Sequence, residues 1–442
     1  MGLSAKKARK NLSAHSLCQT IRSGFDQIAD VRSGKPDISL SDALMSAFAM
    51  FSLKDPSLLA FDERRRDPND NFRTIFGIGN IPSDSQMRTI LDPTDPNDLR
   101  PLFSEIFRCL QRGKVLEDYV FLNDCYLLAL DGTGYFSSSK IHCTSCMIKQ
   151  HRGGRISYSH QLLGAALVHP DFKEVIPLAP EPIIKQDGLV KNDCERNATR
   201  RWLKHFRLDH PHLKVIVIED ALSSNAPHLC DLREANAHFI LGVKPGDHAF
   251  LFRHLHEADE AGRTQTLTQT DPATGILHHF RWHHNAPLNE SNPDELVHVL
   301  EYWELHPDGK VQYFSWITDL TLTPDTVSSV MRGGRARWKI ENETFNTLKN
   351  QGYHLEHNFG HGEQNLSVVF ALLMMLAFLV DQVQQRCCPL FMAALEKMRT
   401  KRHLWEEIRH LFRAFVFASF TDLLQALIRG IERQHPILRD SS

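Results

Sequence analysis

Little in this chain of 442 residues points to a membrane, an extracellular scaffold or a partner held by bulk charge. No apolar run reaches the roughly 20 residues that span a bilayer. The longest, from Leu366 to Val380, is interrupted by Ser367 and reads as a buried core helix. The opening Met1-Gly-Leu-Ser-Ala-Lys-Lys-Ala-Arg-Lys10 is basic with no apolar segment after it, so no secretory leader is expected. The nine cysteines are odd in number and scattered, without the spacing of a stapled scaffold. Reduced thiols in a cytoplasmic protein are the expectation. Neither sign of charge is in excess: 51 Lys and Arg stand against 53 Asp and Glu, a formal −2 with His neutral. That excludes a protein coating nucleic acid through net charge, and leaves room for local basic surfaces. The 25 His residues add positive charge only as the pH falls toward ordinary imidazole values. Internal repeats and low-complexity tracts are also missing.

What is present is ordinary globular material, 42% hydrophobic and 24% charged, long enough for roughly two to four domains. Residues 1–118 read as a helical domain, a candidate for binding DNA ends. Ile38 to Phe51 has a Ser cap signal followed by helix-period apolar residues, and Phe103, Ile106, Phe107 and Leu110 share one face. From about residue 120 the period changes. Runs at 124–131, 158–168, 172–178, 213–220 and 237–243 read as strands, with helices over 197–207 and 226–235. Three early strands followed by alternating helices and strands predict an α/β fold with a mixed sheet flanked by helices. That core occupies 119–244 and resumes over 322–385. Residues 245–321 read as a β-rich insertion between its halves, and 386–442 as a C-terminal helical region.

Three acidic residues stand out. Asp131 closes the apolar run Tyr126–Leu130, Asp220 closes Val215–Ile218, and Glu341 sits in the basic helix Arg335–Glu341. A carboxylate where a buried strand ends is well held and faces outward. Three such groups meeting can hold two divalent cations, the minimum equipment for moving phosphodiester bonds. Arg337 and Glu341 are one helical step of four apart and share a face. Glu343 lies about 200° round the helix from Glu341 and cannot share that face. Each residue alone has an ordinary reading: Asp131 as a turn former before Gly132, Asp220 as a helix cap, Arg337 with Glu341 as a surface ion pair.

Together, in this order, they resemble the bacterial insertion-sequence transposases of the DDE type, especially those with a Y-R-E-K signature around the last Glu. The resemblance covers roughly 120–360. It is carried by Ala129–Tyr135, Val217–Leu222, Phe239–His248 and Arg337–Tyr353. It implies an RNase H-like core, metal-dependent cleavage at transposon ends and strand transfer to target DNA. Asp131, Asp220 and Glu341 are then the catalytic metal ligands for two Mg²⁺ or Mn²⁺ ions about 3.5–4 Å apart. Arg337 corresponds to the signature Arg and Lys349 to its Lys, both toward phosphate. An aromatic at the end of the insertion, Phe314 or Trp316, would stack on a flipped base. Double-stranded DNA is the implied partner, as terminal inverted repeats and as target, with a homodimer holding two ends. The implied setting is the bacterial cytoplasm, at the nucleoid when DNA is bound, with no membrane. Two departures stand against the pattern. Gly334 occupies the signature Tyr position, and Lys349 lies one residue further from Glu341 than the signature spaces it. An RNase H-like nuclease without strand transfer, and a DNA-binding element protein whose catalysis has decayed, are the rival readings.

Other constellations are less specific. Lys149–Arg155 is a Gly-rich basic loop, with Arg155 a candidate for DNA backbone contact. Arg335, with Arg332 and Lys339, adjoins Glu341 and is a second candidate for phosphate. Arg196, Arg200, Arg201, Lys204 and Arg207 form another basic flank. Cys143 and Cys146 have C-x-x-C spacing, with His142 before them and His151 beyond. No second pair follows, so structural thiols are the plain reading and structural zinc the alternative.

Overall fold

A computed structural model describes residues 11–67, 70–185 and 194–430; the basic opening segment lies outside them. The chain divides into two compact units, one formed by 1–115 with 347–442 and the other by 116–346.

The first unit is helical. Its N-terminal part holds helices Ala14–Phe25, Leu40–Ser52, Leu58–Arg64, Asn71–Phe76, Asp84–Leu91 and Arg100–Arg112. Ser13, Ser39, Ser57 and Ser83 each accept a hydrogen bond from the first turn that follows, satisfying amides the helix leaves without partners. The C-terminal part adds Leu366–Cys387, Pro389–Met398, Lys401–Ala414 and Phe420–Arg429. Leu366–Cys387 is longer than the apolar run in the sequence, because the helix continues through Asp381. By length and composition it could cross a membrane, but its most apolar 18-residue stretch is buried within the unit, and the helix packs on Leu40–Ser52. The Lys54 ammonium lies 2.5 Å from the Asp381 carboxylate in this core, over the rings of Tyr353 and Trp405 at 3.8 and 4.1 Å. The Tyr353 hydroxyl donates to the same carboxylate.

Among the described residues, the second unit is built on one sheet of eleven strands. In chain order they are β1 Tyr126–Ser138, β2 Met147–Gln150, β3 Ile156–Val168, β4 Ile176–Pro177, β5 Glu181–Ile183, β6 Val215–Glu219, β7 His238–Gly242, β8 Gln265–Thr270, β9 Leu277–Asn289, β10 Asn292–Leu305 and β11 Val311–Thr318. β1 pairs antiparallel with β3 and parallel with β6, and β6 runs parallel to β7. The core order is β2-β3-β1-β6-β7, with β4 and β5 also pairing on β3, a mixed sheet flanked by helices as expected. Helices Glu195–Asp209 and Ala226–Glu234 make the crossovers. All five residues of β6 are buried, which is why it reads as an unbroken apolar run.

Three readings change. The strand expected over 172–178 shrinks to Ile176–Pro177, since Pro177, Pro180 and Pro182 cannot donate to a ladder. Gly132 and Gly134 do not form a turn. β1 runs on through them to Ser138, paired with β3 and with its register shifting between Gly134 and Phe136. The segment 245–321 begins with a helix, Ala249–Glu260, before its four strands. Those strands do not form a separate layer: β11 pairs with β7, so the insertion extends the core sheet.

Candidate active site

β1 and β6 pair in parallel up to the rung Ala129–Ile218. Two residues further along each strand lie Asp131 and Asp220. Neighbouring strands are about 4.8 Å apart, so the backbone sets both residues at the edge where β6 ends. The Asp220 carboxylate accepts the Leu222 amide at 2.9 Å and caps a short 3₁₀ turn over Ala221–Ser223. Asp131 accepts the Gly132 amide at 2.9 Å. Glu219, which precedes Asp220, is turned away, buried and bound to His228 at 2.5 Å. Burial disfavours a charged imidazole there, yet the carboxylate outweighs it and raises the His228 value.

Glu341 arrives on the helical segment after Val327–Arg335. This segment is not a plain α-helix. Ile340–Phe345 forms a π turn, whose i→i+5 bonds take in one extra residue. The eight-residue interval from Glu341 to Lys349 is therefore no evidence of a rotated face. Phe345 fixes the segment to the sheet, its ring lying where a side chain at Gly164 would be, 2.7 Å from an added Cβ. Gly164 pairs with Asp131 across β1 and β3, so the same rung holds both. Arg337 then bridges the carboxylates, donating to Glu341 at 2.8 Å and Asp131 at 3.2 Å. Glu343 interacts instead with Lys339, whose ammonium donates to the Phe172 carbonyl at 2.6 Å.

A fourth acid joins them that the sequence did not single out. Glu195 opens the helix Glu195–Asp209 and lays its carboxylate over Gly132, 2.7 Å from where a Cβ would stand. Only glycine at 132 permits that approach. Partial burial, then Glu219 and Asp220, hold Glu195 above the usual carboxylate range. The Asp131 carboxyl is pushed up to about 7. Burial is the main cause; Arg337 opposes it, while Glu195 and Glu341 add to it. Thus Glu341, Asp131, Glu195 and Asp220 form a chain of acids, with Arg337 the cation set among them.

The other expected residues lie elsewhere or are engaged. Arg335 turns to the insertion, pairing with Glu304 and resting over the Phe314 ring at 4.9 Å. Phe314 is half-buried and stacks on Trp316 at 5.9 Å, while Trp316 is buried. The Trp316 indole fills the place of any side chain at Gly334, 2.6 Å from an added Cβ to Cε2. An aromatic from β11 thus occupies the volume beside Gly334. Trp338 is the exposed aromatic at this site, 49% accessible, with the Arg337 guanidinium over its ring at 5.0 Å. Arg155 is exposed at the tip of the β2–β3 hairpin. Lys349 belongs to the helical unit and pairs with Glu356 at 2.8 Å. Most of the basic flank on Glu195–Asp209 is used within the fold: Arg200 binds Asp231, Arg201 binds Glu181, and Arg207 binds the Leu213 and Asn236 carbonyls.

No family model matches the chain, and no curated protein does. Among solved structures it is similar to a piggyBac transposase synaptic complex with hairpin DNA, at 11% identity and a TM-score of 0.39, over 98% of this chain and 88% of that one. At that level of likeness the functional reading rests on the residues themselves.

Proposed function

We propose that this chain is a DNA transposase of the DDE type, which cleaves at the ends of its element and transfers the freed strand to target DNA. Two observations support the reading: Arg337 bridges the Asp131 and Glu341 carboxylates, and Asp220 stands just past the end of β6, the strand that pairs in parallel with β1. The donors of all three acids are carboxylate oxygens, the hard ligands that suit Mg²⁺ or Mn²⁺. Four carboxylates, from Asp131, Glu195, Asp220 and Glu341, stand against the one guanidinium of Arg337, a surplus of negative charge that divalent cations would offset. When bound, such a pair activates the attacking oxygen and stabilises the leaving one.

The chain's own residues do the positioning. Gly132 and Phe345 set the spacing of Glu195 and Glu341 against β1. Arg337 orients Asp131 and Glu341 and is the cation placed to meet a phosphate oxygen. Trp338 is the exposed ring beside it for a displaced base. Terminal inverted repeats, target DNA, a homodimer and a nucleoid setting follow from the resemblance.

Asp220→Ala is expected to abolish Mg²⁺-dependent cleavage of element-end DNA while leaving end binding intact in a gel shift. Unchanged cleavage would remove the proposal. Joined products in a strand-transfer assay separate a transposase from a nuclease that only cuts.

A further inference from the structure

The C-x-x-C pair lies in the loop between β1 and β2, and its third partner is not the nearby His151. That ring bonds the Ser157 hydroxyl at 2.8 Å. Instead β3 delivers His160, which sits across from Phe136 in the β1–β3 register and lies against the Tyr135 ring at 5.9 Å. His160 Nε2 is 3.4 Å from both the Cys143 and Cys146 sulfurs, and the sulfurs are 3.8 Å apart. That separation is far beyond the roughly 2.05 Å of a disulfide. It is the separation that a shared tetrahedral ion imposes. With Zn–S about 2.3 Å and Zn–N about 2.0 Å, ligand atoms stand about 3.5–3.8 Å apart. The loop is also shaped for a thiolate: the Cys143 amide points at the Cys146 sulfur at 3.4 Å. Cys146 and His160 are buried and Cys143 is half-buried, so the three donors converge on one shielded point.

We infer that Cys143, Cys146 and His160 bind a structural Zn²⁺ ion, with a water or a further donor completing the tetrahedron. The site is separate from the carboxylate cluster. His160 is four residues along β3 from Gly164, the partner of Asp131, so about 13 Å of strand lies between them. Soft sulfur ligands select zinc here, and hard oxygen ligands select magnesium or manganese there. Two thiol protons leave on binding and two Zn–S bonds form, with no change in oxidation state. The ion would clip the 139–146 loop to β3 and hold the β1–β3 hairpin where it extends past the end of β6.

The test is zinc content of the full-length protein, purified without chelator and measured by elemental mass spectrometry. About one zinc per chain is expected in the wild type and in Asp220→Ala, and at least about a tenfold loss in Cys143→Ser/Cys146→Ser and in His160→Ala. Retention by Asp220→Ala keeps this outcome independent of the proposed catalysis. Zinc-free wild-type protein from zinc-supplemented cells overturns the inference, as does a Cys143–Cys146 disulfide or undiminished zinc in the cysteine variant. Should the variants fail to fold, cobalt-exchanged wild type decides: thiolate-to-cobalt absorption bands support the site, and their absence overturns it.

Discussion

Near neutral pH the Asp131 carboxyl stands close to its midpoint, although an ordinary aspartate titrates near 3.8. The folded protein therefore keeps a proton that the unfolded chain releases between those values. The stability this contributes is complete below pH 3.8 and is lost as the pH rises through about 7. Thermal melts in EDTA from about pH 5 to about pH 8 should fall more steeply for the wild type than for Asp131→Asn. Parallel curves would show that another group titrates. The same proton must leave before a cation binds, so Mn²⁺ affinity should rise by about tenfold per pH unit up to about pH 7. Glu195→Gln removes one repelling charge and should move that rise to lower pH. The placement of Asp131 and Asp220 by neighbouring strands and the pairing of Glu341 with Arg337 were legible, because a buried apolar run or a shared helical face marks where a side chain must go. Glu195 was not. Its place depends on a close approach to Gly132, which no local pattern records. His160 was hidden for a related reason: the partner of a C-x-x-C pair is chosen by the β1–β3 register, and nearness in sequence suggested His151.

At the scale of elements, the helix Val327–Arg335 meets the sheet through Gly334 and the Trp316 indole. A methyl at 334 would press into that ring, so Gly334→Ala should destabilise by about 1–3 kcal/mol in urea unfolding. Trimming Trp316 to Ala in the same chain should relieve most of that increment, a non-additivity expected only of residues in contact. Simple addition of the two effects would refute the packing. Period and composition gave the core strands and their crossover helices, since β6 is apolar throughout and the helix Ala226–Glu234 has Asn225 at its cap. They also held a signal that went unread: Leu251, Leu255 and Ala258 are the buried stripe of the helix Ala249–Glu260. The π turn at Ile340–Phe345 has no composition of its own. It reflects the need to bring Phe345 onto Gly164 while Glu341 keeps Arg337.

Across the whole molecule, a deeply buried ion pair lies far in sequence from the proposed chemistry. Lys54 and Asp381 neutralise each other inside the helical unit, and burial draws the lysine down to about 8. Removing one partner strands the other, so Asp381→Ala should cost about 3–5 kcal/mol in guanidinium unfolding, and Lys54→Met with Asp381→Leu should recover most of it. Recovery in the double variant is the outcome that separates a stranded charge from lost packing. That the first 115 residues fold with residues 347–442 was beyond local reading, because it joins segments with no shared pattern. The second unit holds a quieter consequence in two consecutive acids. Glu219 ends β6 bound to the buried His228, whereas Asp220 is presented at the rim and caps the turn that follows. Strand register decides which of the two faces inward. A slip of one position in the pairing of β6 would hand the His228-bound acid to the rim and bury the other one, so backbone alignment, more than acid identity, selects which anion the protein offers.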